Sequence, residues 1–139
     1  MTSYYATFEP DEDGVLVTFP DVPEAISGGV DRAEAMTNAQ DALEVALLTY
    51  VGDGKALPIA KAKQGVLVSL SASTAVKIAF IEAFRSSQLT RVALAERLGK
   101  QEGEVRRMLD PYHATKLPAM EAGLQALGKQ LVVSVHNAA

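Results

Sequence analysis

The residues whose spacing is most specific to a chemistry lie between Leu94 and Leu109. In a DNA-binding helix-turn-helix the two helices cross closely, so the first carries a small residue at the crossing. The turn residue four positions later must accept a positive φ angle, and a β-branched apolar residue follows six positions beyond it. Ala95, Gly99 and Val105 have these spacings. The pattern predicts a helix-turn-helix that reads DNA, with a helical hairpin of ordinary core packing as the alternative.

The second helix of this motif would present its outer face to DNA. Three apolar side chains fill the interior between the helices: Leu94, Leu98 and Met108. The residues expected to meet bases or phosphates are Arg91, Lys100, Gln101, Glu102, Gly103, Arg106 and Arg107. We expect Gln101 to contact a base through its amide, and Arg91 and Lys100 to contact phosphates. Glu102 and Glu104 disfavour phosphate, although Glu102 could accept a hydrogen bond from a cytosine amino group.

One group of carboxylates, Asp11, Glu12, Asp13 and Asp21, could hold a divalent cation for nuclease chemistry. Three of the four share one predicted turn, where acidic residues are common, and no His or Lys base lies nearby in the sequence. The chain has no Cys and only two His, both expected to be solvated. We therefore expect no metal, no cofactor, no catalytic residue and no enzymatic activity.

The charge is divided unevenly between the two halves of the chain. Residues 1–70 carry four Lys and Arg against eleven Asp and Glu, a net charge of −7, whereas residues 71–139 carry nine against six, a net charge of +3. This asymmetry predicts two modules with different partners, the first suited to a basic molecule and the second tolerant of phosphates.

The composition predicts a folded chain, because 48% of the 139 residues are apolar. The longest apolar runs, such as Val66–Val68 and Leu131–Val133, are too short to span a membrane. Residues Met1–Tyr5 lack the basic start and apolar stretch of a signal peptide. We expect a cytoplasmic protein without a membrane partner.

The first half of the chain is predicted to be a βββαβ domain over residues 1–70. Aromatic and β-branched segments flank an acidic turn, which is typical of a hairpin, and Asp31 with Glu34 forms a capping box before an amphipathic helix. The predicted segments are strands at Tyr4–Phe8, Val15–Phe19, Ala25–Gly29 and Val66–Leu70, and a helix from the Asp31 cap to about Val51. One core is expected to contain Val17, Phe19, Ile26, Leu43, Leu47, Val66 and Val68.

After Ser71 the apolar period changes from two to 3.6, which predicts a second, mainly helical domain over residues 71–139. Its first helix is expected to be capped by Ser73 or Thr74 and to turn Val76, Phe80, Ala83 and Phe84 inward. Three more helices are predicted, capped by Thr90, beginning near Gln101, and spanning roughly Leu117–Leu127. A final strand is predicted at Leu131–Val135. It is too apolar for a free edge, so we expect it to pair with a neighbouring edge or with its copy in a second subunit.

The sequence resembles the HicB antitoxins. The resemblance lies in Phe19–Gly29, which reads FPDVPEAISGG, in the EA and NA…AL pairs between Arg32 and Leu43, and in Gly54–Pro58. It continues through Leu94–Leu109, Pro111 and Leu127–Leu131, and therefore covers nearly the whole chain. It implies an α+β fold, with a partial RNase H-like domain followed by a helix-turn-helix domain. Lys100, Glu102, Gly103 and Glu104 depart from the family's pattern.

The resemblance also implies a function. Members of this family bind HicA, a small basic RNA-cleaving toxin, and repress their own operon by binding operator DNA. The candidate toxin-binding residues are exposed and acidic: Asp11, Glu12, Asp13, Asp21 and Glu24. A homodimer or tetramer is expected, because one recognition helix makes few base contacts. The alternatives are a metal-dependent RNase H-like nuclease joined to a DNA-binding module, and a repressor that senses a small ligand.

Overall fold

A computed structural model of the chain describes residues 3–137. These residues form four strands and five helices: β1 (Ser3–Asp11), β2 (Gly14–Thr18), β3 (Ile26–Gly29), α1 (Arg32–Gly52), β4 (Val66–Ser69), α2 (Ala72–Ser87), α3 (Arg91–Leu98), α4 (Glu102–Met108) and α5 (Leu117–Ala126). The chain divides into two compact units, the first ending at Ile78 and the second beginning at Ala79. The division falls within α2, later than the change of apolar period near Ser71 that defined the predicted boundary.

The sheet of the first unit has the strand order β3-β2-β1-β4, with every neighbouring pair antiparallel. The hairpin pairs Phe8 with Val17, and β1 pairs Tyr4 with Val68 on its other side. This arrangement leaves β3 and β4 as edge strands. The predicted βββαβ order is confirmed.

Helix α1 begins at the cap that the sequence predicts. The Asp31 carboxylate accepts a hydrogen bond from the Glu34 amide at 2.9 Å, and the Glu34 carboxylate accepts one from the Val30 amide at 3.1 Å. Asp31 thus satisfies one of the amide groups that the first turn of a helix leaves without partners, and Glu34 binds the amide of the residue before the cap. The helix buries a stripe of side chains at a spacing of three to four residues: Ala35, Ala39, Leu43, Ala46, Leu47 and Val51.

The start of α1 packs closely against β3. A Cβ atom at Gly29 would overlap the backbone of Ala35, and one at Gly28 would lie 2.6 Å from the carbonyl oxygen of Val15. Gly29 therefore lets the start of α1 approach β3, and Gly28 lets β3 lie close to β2. Asn38 closes the contact, because its Nδ2 donates to the Gly28 carbonyl at 2.8 Å.

The core of the first unit contains most of the predicted residues, including Val17, Phe19, Leu43, Leu47 and Val68, which are 0–3% exposed. The prediction was wrong for Ile26, which is 63% exposed, and Val66 is only half-buried. Ile26 pairs with Thr18, and side chains alternate along a strand, so Ile26 shares the face of Thr18 and not that of buried Val17.

The four helices predicted after Ser71 are confirmed, but some details of α2 differ from the prediction. Ser71 precedes the helix and its hydroxyl accepts from the Thr74 amide at 3.5 Å, so the cap lies earlier than the predicted Ser73 or Thr74. Of the predicted inward residues only Phe80 is fully buried; Val76, Ala83 and Phe84 are half-buried, and Ile78 and Ile81 are buried instead. The helix is apolar on several sides, so its period alone does not identify the buried face.

The prediction of a strand at Leu131–Val135 was wrong for the described residues of a single chain. Leu131–Val135 forms no helix or strand, and none of the four strands pairs with it. A strand requires a neighbour that completes its backbone hydrogen bonds, and the described residues provide none there. The apolar side chains of this segment, Val132, Val133 and Val135, are therefore 74–92% exposed.

No helix among residues 3–137 is both long enough and apolar enough to cross a bilayer.

The close contact at Gly29 predicts a large effect of adding one methyl group. Gly29→Ala should destabilise the protein by about 1–3 kcal/mol, because the new Cβ meets rigid backbone and α1 must move away from β3. Chemical denaturation monitored by circular dichroism measures this change.

Gly103→Ala is the matched control, since a Cβ at this helical position has nothing within 4 Å. It should be neutral or stabilising by up to about 1 kcal/mol. Equal midpoints for wild type and Gly29→Ala would contradict the close packing of α1 on β3.

Candidate functional site

Helices α3 and α4 join through the turn that the motif requires. The Thr90 hydroxyl accepts from the Ala93 amide at 3.0 Å and begins α3, and Gly99 ends it with φ 64° in the left-handed region. The Lys100 amide then donates to the Ala95 carbonyl at 3.0 Å. Ala95 and Val105 are 4% and 0% exposed, as the spacing predicts, so the opposite face of α4 lies at the surface.

Most cations among the predicted DNA-binding residues are paired with glutamates of α4. Arg106 donates to the Glu102 carboxylate at 2.7 Å, and Arg91 lies 3.2 Å from the same carboxylate. Lys100 lies 3.5 Å from Glu104. The hydrogen bond from Arg106 lowers the pKa of Glu102, so this carboxylate stays ionised and competes with any other anion for both arginines.

Two residues of the predicted DNA face have no such pairing. Gln101 and Arg107 are exposed, and no ion pair among residues 3–137 involves Arg107. Gly103 lies in the first turn of α4, where a side chain would have open space around it. The structure thus places the seven predicted residues on or beside one helical hairpin.

The second unit also has a shallow cavity of about 790 Å³ surrounded by arginines. Four of them line it: Arg85, Arg91, Arg106 and Arg107. The motif did not identify Arg85, which comes from the last turn of α2. An arginine at the end of the preceding helix was the available signal, but only the fold shows that it shares a cavity with the other three.

The predicted toxin-binding residues do not form one cluster. Asp11, Glu12 and Asp13 are exposed at the β1–β2 turn, next to Gly14. Glu24 precedes Ile26, which pairs with Thr18 at the opposite end of β2. The acidic residues therefore lie at both ends of the β2–β3 ladder.

Asp21 has a structural role that the sequence analysis did not identify. Its Oδ2 accepts hydrogen bonds from the amides of Lys61 and Ala62, both at 2.8 Å. The Tyr4 hydroxyl donates to the Pro58 carbonyl at 2.6 Å in the same loop. Asp21 thus fixes the loop between α1 and β4 to the segment that follows β2.

A groove of about 640 Å³, which no sequence pattern indicated, lies between α1 and the start of β3. Its lining includes two exposed aliphatic residues, Ile26 and Val45, and three acidic residues, Glu24, Asp41 and Asp53. The Tyr50 hydroxyl donates to Glu24 at 2.6 Å. This hydrogen bond lowers the pKa of Glu24 and raises that of Tyr50.

No group of three or more His, Asp or Glu side chains in the described part of the chain is placed to hold a metal ion. His113 is exposed, with its Nδ1 3.2 Å from the Thr115 hydroxyl, and His136 is exposed, with its Nε2 3.1 Å from the Ser134 hydroxyl.

Comparison with known proteins points to one family. A family model described as a HicB-like antitoxin of bacterial toxin-antitoxin systems matches residues 3–79, which cover the first unit. The chain is 38% identical over 128 residues to "Antitoxin HicB 2" of Photorhabdus laumondii, covering 92% of each chain. It is 37% identical over 131 residues to "Antitoxin HicB" of Escherichia coli K12, covering 92% of this chain and 95% of that one. A relative from Pseudomonas fluorescens, also named "Antitoxin HicB", is 31% identical over 141 residues, with 99% and 97% covered.

These matches extend through both units, and they agree with the resemblance seen in the sequence motifs. The chain belongs to the HicB-like antitoxin family of bacterial toxin-antitoxin systems.

Proposed function

We propose that this antitoxin binds and inhibits a small RNA-cleaving toxin of the HicA type through its first unit, and represses its own operon through α3 and α4. The observation that carries the proposal is the similarity to named HicB antitoxins over at least 92% of the chain. Such similarity spans both units, so both activities are proposed for one polypeptide.

Charge supports the toxin-binding activity. Residues 1–70 have a net charge of −7, which complements a basic RNA-binding protein and competes with RNA for its surface. Complementary charge speeds the encounter of two proteins, and salt weakens that effect. No catalytic step is required of the antitoxin, because covering the toxin's surface is sufficient to exclude RNA.

The geometry of α3 and α4 supports the DNA-binding activity. The turn at Gly99 leaves the outer face of α4 accessible, with Gln101 and Arg107 free to contact DNA. One such helix makes few base contacts, so operator binding requires at least a dimer. The exposed apolar segment Leu131–Val135 supports self-association, because pairing with its copy would supply the missing strand neighbour.

The proposed inhibition is tested by co-expression with the small basic protein encoded beside the antitoxin. That protein alone should arrest growth and cleave RNA, and the antitoxin should restore growth and co-purify with it. A neighbour that is harmless alone, or a toxin that neither binds the chain nor is neutralised by it, would contradict the proposal.

The proposed DNA face is tested by the double variant Arg106→Ala/Arg107→Ala. Operator affinity, measured by fluorescence anisotropy at physiological salt, should fall by roughly tenfold or more, because two exposed cations leave the face. Lys116→Ala/Lys129→Ala removes the same charge from exposed positions outside the proposed face and should have a much smaller effect. Equal losses for the two double variants would show that only net charge matters.

The ion pairs of Glu102 make a further prediction. Glu102→Gln should tighten DNA binding and steepen its salt dependence, since Arg91 and Arg106 become available to phosphates. Glu121→Gln, an exposed change of the same type on α5, should leave both quantities nearly unchanged. Weaker operator binding by Glu102→Gln would instead show that Glu102 itself contacts a base.

A further inference from the structure

The groove between α1 and β3 combines features of a protein-docking site. Val45 is 62% exposed and Ile26 is 63% exposed, although both are large aliphatic residues. The small residue Ala42 also lines the groove and occupies little of its volume. Exposed apolar residues gathered in one concave surface mark interaction sites more often than scattered ones do.

The lining of the groove comes mainly from one stripe of α1. Asn38, Ala42, Val45 and Thr49 recur at a spacing of three to four residues, so they lie along one side of the helix. That stripe is separate from the buried stripe that contacts the sheet. Asn38 also fixes β3 through its hydrogen bond to the Gly28 carbonyl, so helix and strand hold the groove open without a partner.

The charged residues of the groove are mostly acidic. Glu24, Asp41 and Asp53 line it against a single cation, Lys55. The Tyr50 hydroxyl holds Glu24 in place at 2.6 Å and lowers its pKa, which keeps the carboxylate ionised. Exposed aliphatic residues and carboxylates in one groove fit a segment in which an apolar side chain is flanked by Lys or Arg.

We infer that this groove is the anchor point for the toxin, which inserts an apolar side chain between Val45 and Ile26 and places flanking cations against Glu24, Asp41 and Asp53. This inference rests on the proposed inhibition of a basic toxin and assigns that activity a location. A desolvated apolar contact combined with charge pairs supplies more affinity than exposed ion pairs alone. The groove is therefore a better anchor than the exposed carboxylates at the β1–β2 turn.

Charge also selects the toxin over a second copy of this chain. Residues 1–70 of both copies would carry a net charge of −7, so bringing two acidic grooves together is unfavourable. A basic toxin meets the same surface with the opposite sign. Because the volume of about 640 Å³ accommodates a few side chains only, the groove holds the centre of the contact and not its whole area.

The test introduces a bulky cation into the groove of the full-length protein. Val45→Arg should weaken binding of the purified toxin at least 100-fold by calorimetry, because it replaces an apolar residue of the groove with a bulky cation that repels the partner's cations. Val92→Arg is the matched control, since Val92 is another exposed valine on a helix, 57% exposed on α3. It should bind the toxin like wild type.

Two additional variants keep the result interpretable. Thr49→Arg blocks the same groove from an exposed position and should reproduce the loss if Val45→Arg lowers the melting temperature. Glu24→Gln/Asp53→Asn should weaken binding several-fold and reduce its dependence on salt.

The possible outcomes separate the groove from the broader proposal. Wild-type affinity for Val45→Arg and Thr49→Arg would overturn the groove assignment while leaving toxin inhibition intact. The same holds if Asp11→Asn/Glu12→Gln/Asp13→Asn abolishes binding and the groove variants do not. A change in oligomeric state of Val45→Arg without loss of toxin binding would assign the groove to a second copy. Absence of toxin binding by the wild type would refute the proposed inhibition itself.

Discussion

The close approach of α1 to β3 is the contact on which the first unit depends. Gly28 and Gly29 in the strand face Val15 and Ala35, and neither position has room for a Cβ atom. Because the helix starts in contact with the sheet, the rest of its buried stripe is aligned with the core residues of β1 and β2. The same contact also determines where the outer surface of α1 lies. The outer stripe of α1 is fixed beside the edge of β3, and the acidic groove is the space between them.

In the second unit, two glutamates form ion pairs with cations that we propose to contact phosphates. Glu102 holds Arg91 and Arg106, and Glu104 holds Lys100. Exposed pairs of this kind are weak, so a phosphate of DNA can displace them. In the proposed operator complex, this pairing would lower the attraction for arbitrary DNA and leave discrimination to contacts that only an operator sequence provides. In an antitoxin this would keep most molecules from binding non-specifically along the chromosome.

Local chemistry made much of this fold predictable. The Asp31 cap and Gly99 turn act within a few residues of their own position, and the hairpin follows from alternation on both sides of a polar turn. Features that depend on contacts between distant residues were not predictable. Exposed Ile26 reflects its pairing with Thr18, and the role of Asp21 depends on amides forty residues later. The C-terminal segment has the composition of a strand but no strand neighbour among residues 3–137. The motif predicted the helical hairpin of α3 and α4, but only the fold shows the arginine-lined cavity, the ion pairs and the groove.

The most direct test of an acidic unit that captures a basic toxin is the rate of association of the two full-length proteins at increasing salt. If charge complementarity guides the encounter and an apolar anchor retains the partner, the association rate should fall by roughly tenfold or more between about 50 and 500 mM salt. The dissociation rate should change much less. An association rate that is independent of salt, or a complex that does not form at any salt concentration, would contradict this account.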